Sequence, residues 1–227
     1  MKKWIKIVLY SVLGILIIGS ITFLTWSQFT YKPTKEALSL VDNKKDEENI
    51  VFGEKDAKIG VIFYQGAKVE ALAKDGHFVV MPKLPLNLAI LGINAVDSVM
   101  EQYPEVQKWY VAGHSMGGAM ISKYAFQHEE KVDGIIFLGS YPADDFSTKS
   151  IPMLSIYGEV DALATVEKIE NNKKLMSKNT TMHMIKGGNH ANFGMYGEQK
   201  GDNASLITSK AQQDETVKVM EEWLLKQ

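Results

Sequence analysis

The sequence predicts an α/β fold in which a doubly wound, mostly parallel sheet follows one N-terminal apolar helix. Two observations support the sheet: short apolar runs rich in β-branched residues alternate with amphipathic segments, and Gly, Pro, Asn and Asp separate them. Strands that alternate with helices favour parallel pairing. A long run without charge near the N-terminus indicates the separate helix. At 227 residues the chain has room for one such domain and a short appendage.

The N-terminal segment, residues 1–26, is predicted to be a membrane helix. Residues 7–24 carry no charge, and about 18 helical residues at about 1.5 Å each approach the hydrocarbon thickness of a bilayer. Three lysines precede this run, and Trp4 and Trp26 flank it, so the N-terminus is expected in the cytoplasm and the rest outside. The alternative is a cleaved secretory signal, although no clear A-x-A-like site is present.

Residues 27–54 are predicted to be a polar linker, and residues 55–227 the α/β domain. The charge run at 42–49 is interpreted as a solvated part of this linker, with no chemistry of its own.

Composition excludes several classes of function. Without the three N-terminal lysines the net charge of −2 becomes −5, which does not suit a nucleic-acid partner. All basic residues are Lys, and the absence of Arg weakly favours a neutral or hydrophobic substrate. Cysteine is absent, so disulfides, thiolate metal sites and a cysteine nucleophile are excluded. Without an H-E-x-x-H motif or clustered ligands, we expect neither a metal nor a cofactor.

The domain is expected to begin with two strands, 57–64 and 77–81, joined by an unusually short crossover. A parallel crossover with its helix needs about 10 to 12 residues, so residues 69–74 can form little more than a turn and a half. Apolar residues at helical spacing predict a helix over 86–103, which ends before Pro104.

Alternation continues through the rest of the domain. The predicted strands are 109–112, 132–139, 151–157 and 180–185, and the predicted helices are 119–126, 165–176 and 206–225.

One short motif lies between a predicted strand and a predicted helix, and it reads Gly113-His114-Ser115-Met116-Gly117. It fits the G-x-S-x-G pattern in the strand–turn–helix context that this pattern requires. A serine at so tight a turn takes strained backbone angles, so its neighbours two residues away must be small. Ser115 is therefore the predicted nucleophile, and the backbone N–H of Met116 is a predicted oxyanion donor.

A second oxyanion donor is expected from the loop after the first strand of the domain. The candidates are the backbone N–H groups of Gly66 and Ala67, and an ordinary turn is an equally good interpretation of this loop.

Asp161 is the predicted acid because it follows the strand 151–157 in a loop that glycine begins. An N-cap for the next helix is the competing interpretation, but Thr165 suits that role better. Asp144 and Asp145 follow the preceding strand and are the fallback acids, although they look more like turn residues.

His190 is the predicted general base. It lies in a glycine-flanked loop directly after the strand 180–185, and the order Ser, Asp, His along the chain agrees with this role.

These residues resemble the α/β-hydrolase superfamily: the glycine-flanked Ser115, Asp161 in Tyr-Gly-Glu-Val-Asp, and His190 in Gly-Gly-Asn-His-Ala-Asn-Phe-Gly. The resemblance covers residues 55–226 and is closest to the small bacterial dienelactone-hydrolase-like group, some of whose members carry an N-terminal membrane segment. It implies an α/β-hydrolase fold. Dienelactone hydrolases use cysteine where this chain has Ser115, so their substrate is not carried over. The short crossover at 65–77 also departs from the family pattern.

The expected function is that of a membrane-anchored serine hydrolase whose domain lies outside the cell, acting on a small-molecule acyl substrate through Ser115, His190 and Asp161. The same three residues would serve an acyltransferase or a peptidase. A catalytically silent, membrane-tethered binding protein is the alternative from another class.

Overall fold

A computed structural model of the chain describes residues 2–27, 49–64, 72–73, 76–194 and 197–227. Within these residues, seven strands form a single sheet in the order β1-β3-β2-β4-β5-β6-β7. The strands are β1 (Asn49–Phe52), β2 (Ile59–Tyr64), β3 (Phe78–Pro82), β4 (Lys108–His114), β5 (Gly134–Leu138), β6 (Met153–Gly158) and β7 (Thr180–Ile185).

Strands β2 to β7 run parallel to one another, and β1 pairs antiparallel with β3. The carboxyl ends of the parallel strands therefore meet along one side of the sheet, called here the carboxyl edge. This topology confirms the predicted α/β fold with a mostly parallel sheet.

Helices cover both faces of the sheet. After the N-terminal helix α1 (Lys3–Ser27), which is not buried, these are α2 (Ala95–Gln102), α3 (Met116–Gln127), α4 (Val166–Asn172) and α5 (Ser209–Leu224). Because side chains alternate along a strand, Ile135 packs into the cluster that contains residues of α2 and α3, whereas Ile136 packs into the cluster that contains α5. Burial on both faces explains the continuous apolar runs that predicted these strands.

The helix predicted over 86–103 was wrong in its first half. The chain forms two short 3-10 turns, Pro85–Asn87 and Ala89–Leu91, before α2 begins at Ala95. Leu86 has φ 51°, which no α-helix accommodates. The carbonyl of Gly92 accepts a hydrogen bond from the Tyr64 hydroxyl instead of continuing a helix.

Strand β1 was not predicted, because the chain at 49–52 was assigned to the end of the polar linker. These four residues pair with β3, with Asn49 opposite Pro82. So short a run after a stretch of charge offers no alternation from which to predict a strand. The preceding linker residues 28–48, and residues 65–71 of the short crossover, lie outside the described residues.

Helix α1 is long enough and apolar enough to cross a membrane. Within Lys3–Thr25 an 18-residue window has a mean hydropathy of 2.5, and none of that window is buried. A signal sequence near an N-terminus has the same properties.

Candidate active site

Ser115 occupies a strained turn between β4 and α3. Its φ of 54° and ψ of −126° lie in a region that residues other than glycine rarely adopt, at a cost of about 1–3 kcal/mol. Two hydrogen bonds hold this backbone: the Ser115 N–H donates to the carbonyl of Leu138 at 3.0 Å, and the hydroxyl of Ser140 donates to the Ser115 carbonyl at 2.6 Å. The strand beside β4 therefore stabilises the turn.

The glycines around Ser115 are required by close backbone contacts. A Cβ atom on Gly113 would lie 2.4 Å from the amide nitrogen of Gly118, and one on Gly117 would lie 2.3 Å from the carbonyl oxygen of Tyr64. No side chain fits at these distances, so the turn at Ser115 needs glycine on both sides, as the motif predicted.

Of the predicted oxyanion donors, Met116 begins α3 directly after Ser115. The first N–H groups of a helix have no partner within the helix, so the N–H of Met116 is available to an anion beside Ser115. Gly66 and Ala67 lie outside the described residues, and their role stays a prediction.

The structure brings Asp161 and His190 into direct contact, with Nδ1 of His190 at 2.7 Å from Oδ2 of Asp161. Both side chains are almost fully buried. The other carboxylate oxygen of Asp161 accepts the backbone N–H groups of Leu163 at 2.8 Å and Ala164 at 2.7 Å. One oxygen is thus fixed by the loop and the other faces the imidazole.

The second ring nitrogen of His190, Nε2, is buried and makes no hydrogen bond to any described residue. Because Nδ1 is held by Asp161, Nε2 is the nitrogen left to exchange a proton with a third group. The neighbouring residue of Ser115, His114, has its ring 4.5 Å from the ring of His190, which places His190 beside the strained turn.

Residues 139 and 140, which follow β5, lie between the Asp161–His190 pair and Ser115. A Cβ atom on Gly139 would lie 3.1 Å from both Asp161 Oδ2 and His190 Nδ1, while the next residue, Ser140, bonds Ser115. Gly139 also has φ 49°, so this position needs glycine both for its left-handed backbone conformation and for the lack of room for a side chain. Ser115, Asp161 and His190 thus converge at the carboxyl edge, after β4, β6 and β7.

His114 is fully buried against His190 and Phe193. Burial, and next the positive charge that His190 can carry, hold the pKa of His114 well below its ordinary value, although a hydrogen bond with the His190 backbone acts in the opposite direction. His114 therefore stays neutral at pH 7 and adds no positive charge next to the imidazole of His190.

Asp202 links the two loops that carry the Asp161–His190 pair, and sequence reasoning missed it. Its Oδ1 accepts the N–H of Ala162 at 3.1 Å, and its Oδ2 accepts the N–H of Ala191 at 2.9 Å. These two amides directly follow Asp161 and His190. Asp202 lies in a loop with no motif and no strand end before it, so no local signal marks it.

The loop of His190 is also fixed to α5 by two buried glutamines. Gln212 accepts the Asn189 N–H at 3.0 Å and donates to the Asn189 carbonyl at 2.7 Å. Gln213 donates to the carbonyl of Asn192. Residues on both sides of His190 are therefore bonded to one helix.

The fallback acids do not take part in this arrangement. Neither Asp144 nor Asp145 bonds His190 within the described residues, and the Asp145 carboxylate accepts the Ser147 N–H at 2.9 Å in its own turn. Thr165 caps α4 by accepting the Lys168 N–H at 3.2 Å. Among the described residues, no three potential metal ligands are grouped.

Comparisons with known proteins agree with the fold. A family model described as "Alpha/beta hydrolase family" matches residues 60–214. Similar solved structures include a monoacylglycerol lipase from Paleococcus ferrophilus, with 15% identity and a TM-score of 0.58, covering 80% of this chain and 99% of that one. A thermophilic esterase from Thermogutta terrifontis has 12% identity and a TM-score of 0.59, covering 78% and 92%.

Est1E from Butyrivibrio proteoclasticus has 16% identity and a TM-score of 0.55, covering 78% of this chain and 94% of that one. A search of curated proteins found no match. At these identities the likeness to solved structures shows the fold alone.

Proposed function

The chain belongs to the alpha/beta hydrolase family, and from that premise we propose that it is a serine hydrolase that cleaves a carboxylic ester or a related acyl bond. The observation that carries the proposal is the buried 2.7 Å contact between His190 Nδ1 and Asp161 Oδ2 beside the strained Ser115. Monoacylglycerol lipase and esterase activities named for similar structures support an ester as the substrate.

In the proposed reaction, Asp161 keeps the proton of His190 on Nδ1, so Nε2 accepts the proton of the Ser115 hydroxyl. Ser115 Oγ then bonds the acyl carbon, and the carbonyl electrons move onto its oxygen. When the tetrahedral adduct collapses, the bond to the leaving alkoxide breaks, and His190 gives it the proton. Water attacks the acyl-enzyme, His190 accepts a proton from it, and collapse returns that proton to Ser115.

The negative charge of the adduct needs donors that already point to it. We assign this role to the N–H of Met116, with a second donor from Gly66 or Ala67. The position of Met116 at the start of α3 supports the first assignment, because the helix dipole also favours an anion there.

We also propose that α1 is a single-pass anchor and that the domain lies outside the cell membrane. The support is the unburied apolar stretch of α1 behind three lysines. The alternative is a secreted form from which residues 1–26 have been removed. The mass of the protein purified from membranes, compared with that of the protein purified from the medium, distinguishes the two forms.

A fluorophosphonate tests the proposed function, since it reacts with an activated serine hydroxyl. We expect the full chain to be labelled at Ser115 and to hydrolyse short p-nitrophenyl esters, and we expect Ser115→Ala to lose both. Ser147→Ala, a serine outside the site, is the matched control and should keep both.

Two other outcomes have a defined meaning. A folded chain that is neither labelled nor active would contradict the proposal and favour a catalytically silent binding protein. Adding an alcohol or an amine as acceptor, and measuring the new ester or amide, separates acyl transfer from hydrolysis.

A further inference from the structure

Exposed apolar side chains are concentrated at the edge of the sheet that carries the site. Outside α1, the large apolar side chains that are exposed among the described residues are Ile90, Leu91, Met116, Met184, Leu206 and Leu225. Four of these six follow the carboxyl end of a parallel strand: Ile90 and Leu91 after β3, Met116 after β4, and Leu206 after β7.

Hydrogen bonds fix these segments at the carboxyl edge. The hydroxyl of Tyr64, the residue that ends β2, donates to the carbonyl of Gly92 directly after Leu91. The N–H of Leu206 donates at 2.8 Å to the carbonyl of Gly187, which follows β7. Ile90, Leu91 and Leu206, here called the apolar rim, are 55%, 50% and 75% exposed.

The segment from α1 joins the domain at this same edge. Because β1 is antiparallel to β3, its first residue, Asn49, lies opposite Pro82 at the carboxyl end of β3. Residues 28–48 connect α1, the candidate membrane span, to Asn49. The attachment point, the apolar rim and Ser115 therefore share one edge of the sheet.

We propose that the carboxyl edge rests on the bilayer that holds α1, with the apolar rim inserted among the lipids, so that the site takes an amphiphilic ester from the bilayer. Exposed apolar side chains beside a membrane attachment gain free energy by leaving water. The substrate part rests on the proposed function, whereas the orientation of the domain stands on the rim and the position of Asn49.

The orientation is tested without any activity measurement. Because the chain has no cysteine, Leu91→Cys and Leu206→Cys each place one polarity-sensitive fluorophore on the rim. Leu225→Cys is the matched control: Leu225 is 80% exposed but lies at the opposite edge, where Lys108 at the start of β4 donates to the Gln227 carbonyl at 3.0 Å.

In phosphatidylcholine vesicles containing nitroxide lipids, the full chain should show blue-shifted, quenched emission from positions 91 and 206 and neither effect from position 225. Equal emission and quenching at all three positions, or an effect at 225 alone, would overturn the proposed orientation.

The substrate class is tested with the double variant Ile90→Gln, Leu91→Gln in the same vesicles. We expect hydrolysis of a long-chain p-nitrophenyl ester dissolved in the bilayer to fall about tenfold, because two apolar anchors are lost. Hydrolysis of p-nitrophenyl acetate in water should not change, and Leu225→Gln should leave both rates unchanged.

An equal change in both rates, or no change in either, would overturn the bilayer as the source of the ester. If the parent chain hydrolyses neither ester, the proposed function fails, while the quenching pattern still decides the orientation.

Discussion

Replacing Asp202 by alanine should lower activity although Ser115, Asp161 and His190 are all retained. The substitution removes the acceptor for the N–H groups of Ala162 and Ala191, of which Ala191 is 1% exposed. An unsatisfied buried donor costs about 1–3 kcal/mol. Ala162 is only partly buried, so water can replace the bond to its N–H, and the free energy of unfolding should fall by about 1–3 kcal/mol.

The loss of activity should exceed what this destabilisation explains. Without Asp202 the loops of Asp161 and His190 lose the bridge between the N–H groups of Ala162 and Ala191, and a displacement of about 1 Å in a catalytic group costs about 100-fold in rate. We expect kcat for a p-nitrophenyl ester to fall by about that factor while KM changes little. Denaturant unfolding and kinetics on the same preparation measure both effects.

Two variants make this experiment decisive. Asp202→Asn keeps one carbonyl acceptor and should give an intermediate loss. Asp145→Asn alters a carboxylate that bonds Ser147 in its own turn, away from His190, and should leave kcat unchanged. The reasoning is refuted if Asp202→Ala, still folded at the assay temperature, keeps the kcat of the Asp145→Asn variant.

Three further predictions concern the strained turn at Ser115 and the imidazoles of His190 and His114. In Asp161→Asn the amide oxygen should keep the two backbone N–H bonds, so the amide nitrogen faces His190 Nδ1. We therefore expect kcat to fall about 10⁴-fold while the circular dichroism spectrum stays unchanged. Gly117→Ala places a Cβ 2.3 Å from the Tyr64 carbonyl and should abolish turnover and lower stability by about 1–3 kcal/mol, measured by thermal unfolding. Folding lowers the pKa of His114, so near its ordinary pKa of 6.5 the unfolded chain binds a proton that the folded chain does not. The free energy of unfolding therefore falls as the pH drops below 6.5. Denaturant unfolding should show about 1 kcal/mol less stability at pH 5.5 than at pH 6.5, a difference that His114→Gln removes from the total.

Much of the fold was predictable because each parallel strand is a short apolar run that ends in turn residues. The strand predicted over 180–185 coincides with β7, and 57–64 contains β2. The carboxyl ends of parallel strands all lie at one edge of the sheet. This rule explains why the sequence alone could predict that Asp161 and His190, which follow different strands, lie close together.

The features that were missed depend on contacts between distant segments. Leu86 adopts its left-handed conformation, and Gly92 directs its carbonyl to Tyr64, within a stretch whose spacing resembles a helix. Strand β1 exists because the edge of β3 offers it a partner. Asp202 acts through backbone amides that carry no sequence signal.

The two buried glutamines of α5 make the site depend on the C-terminal helix. Structural units open at different free energies, and a helix packed on one face of a sheet opens before the central strands. Once α5 detaches, Gln212 and Gln213 release the backbone on both sides of His190. Heat inactivation should therefore precede the loss of sheet signal, and a fusion placed after Gln227 should affect turnover more than its distance from Ser115 suggests.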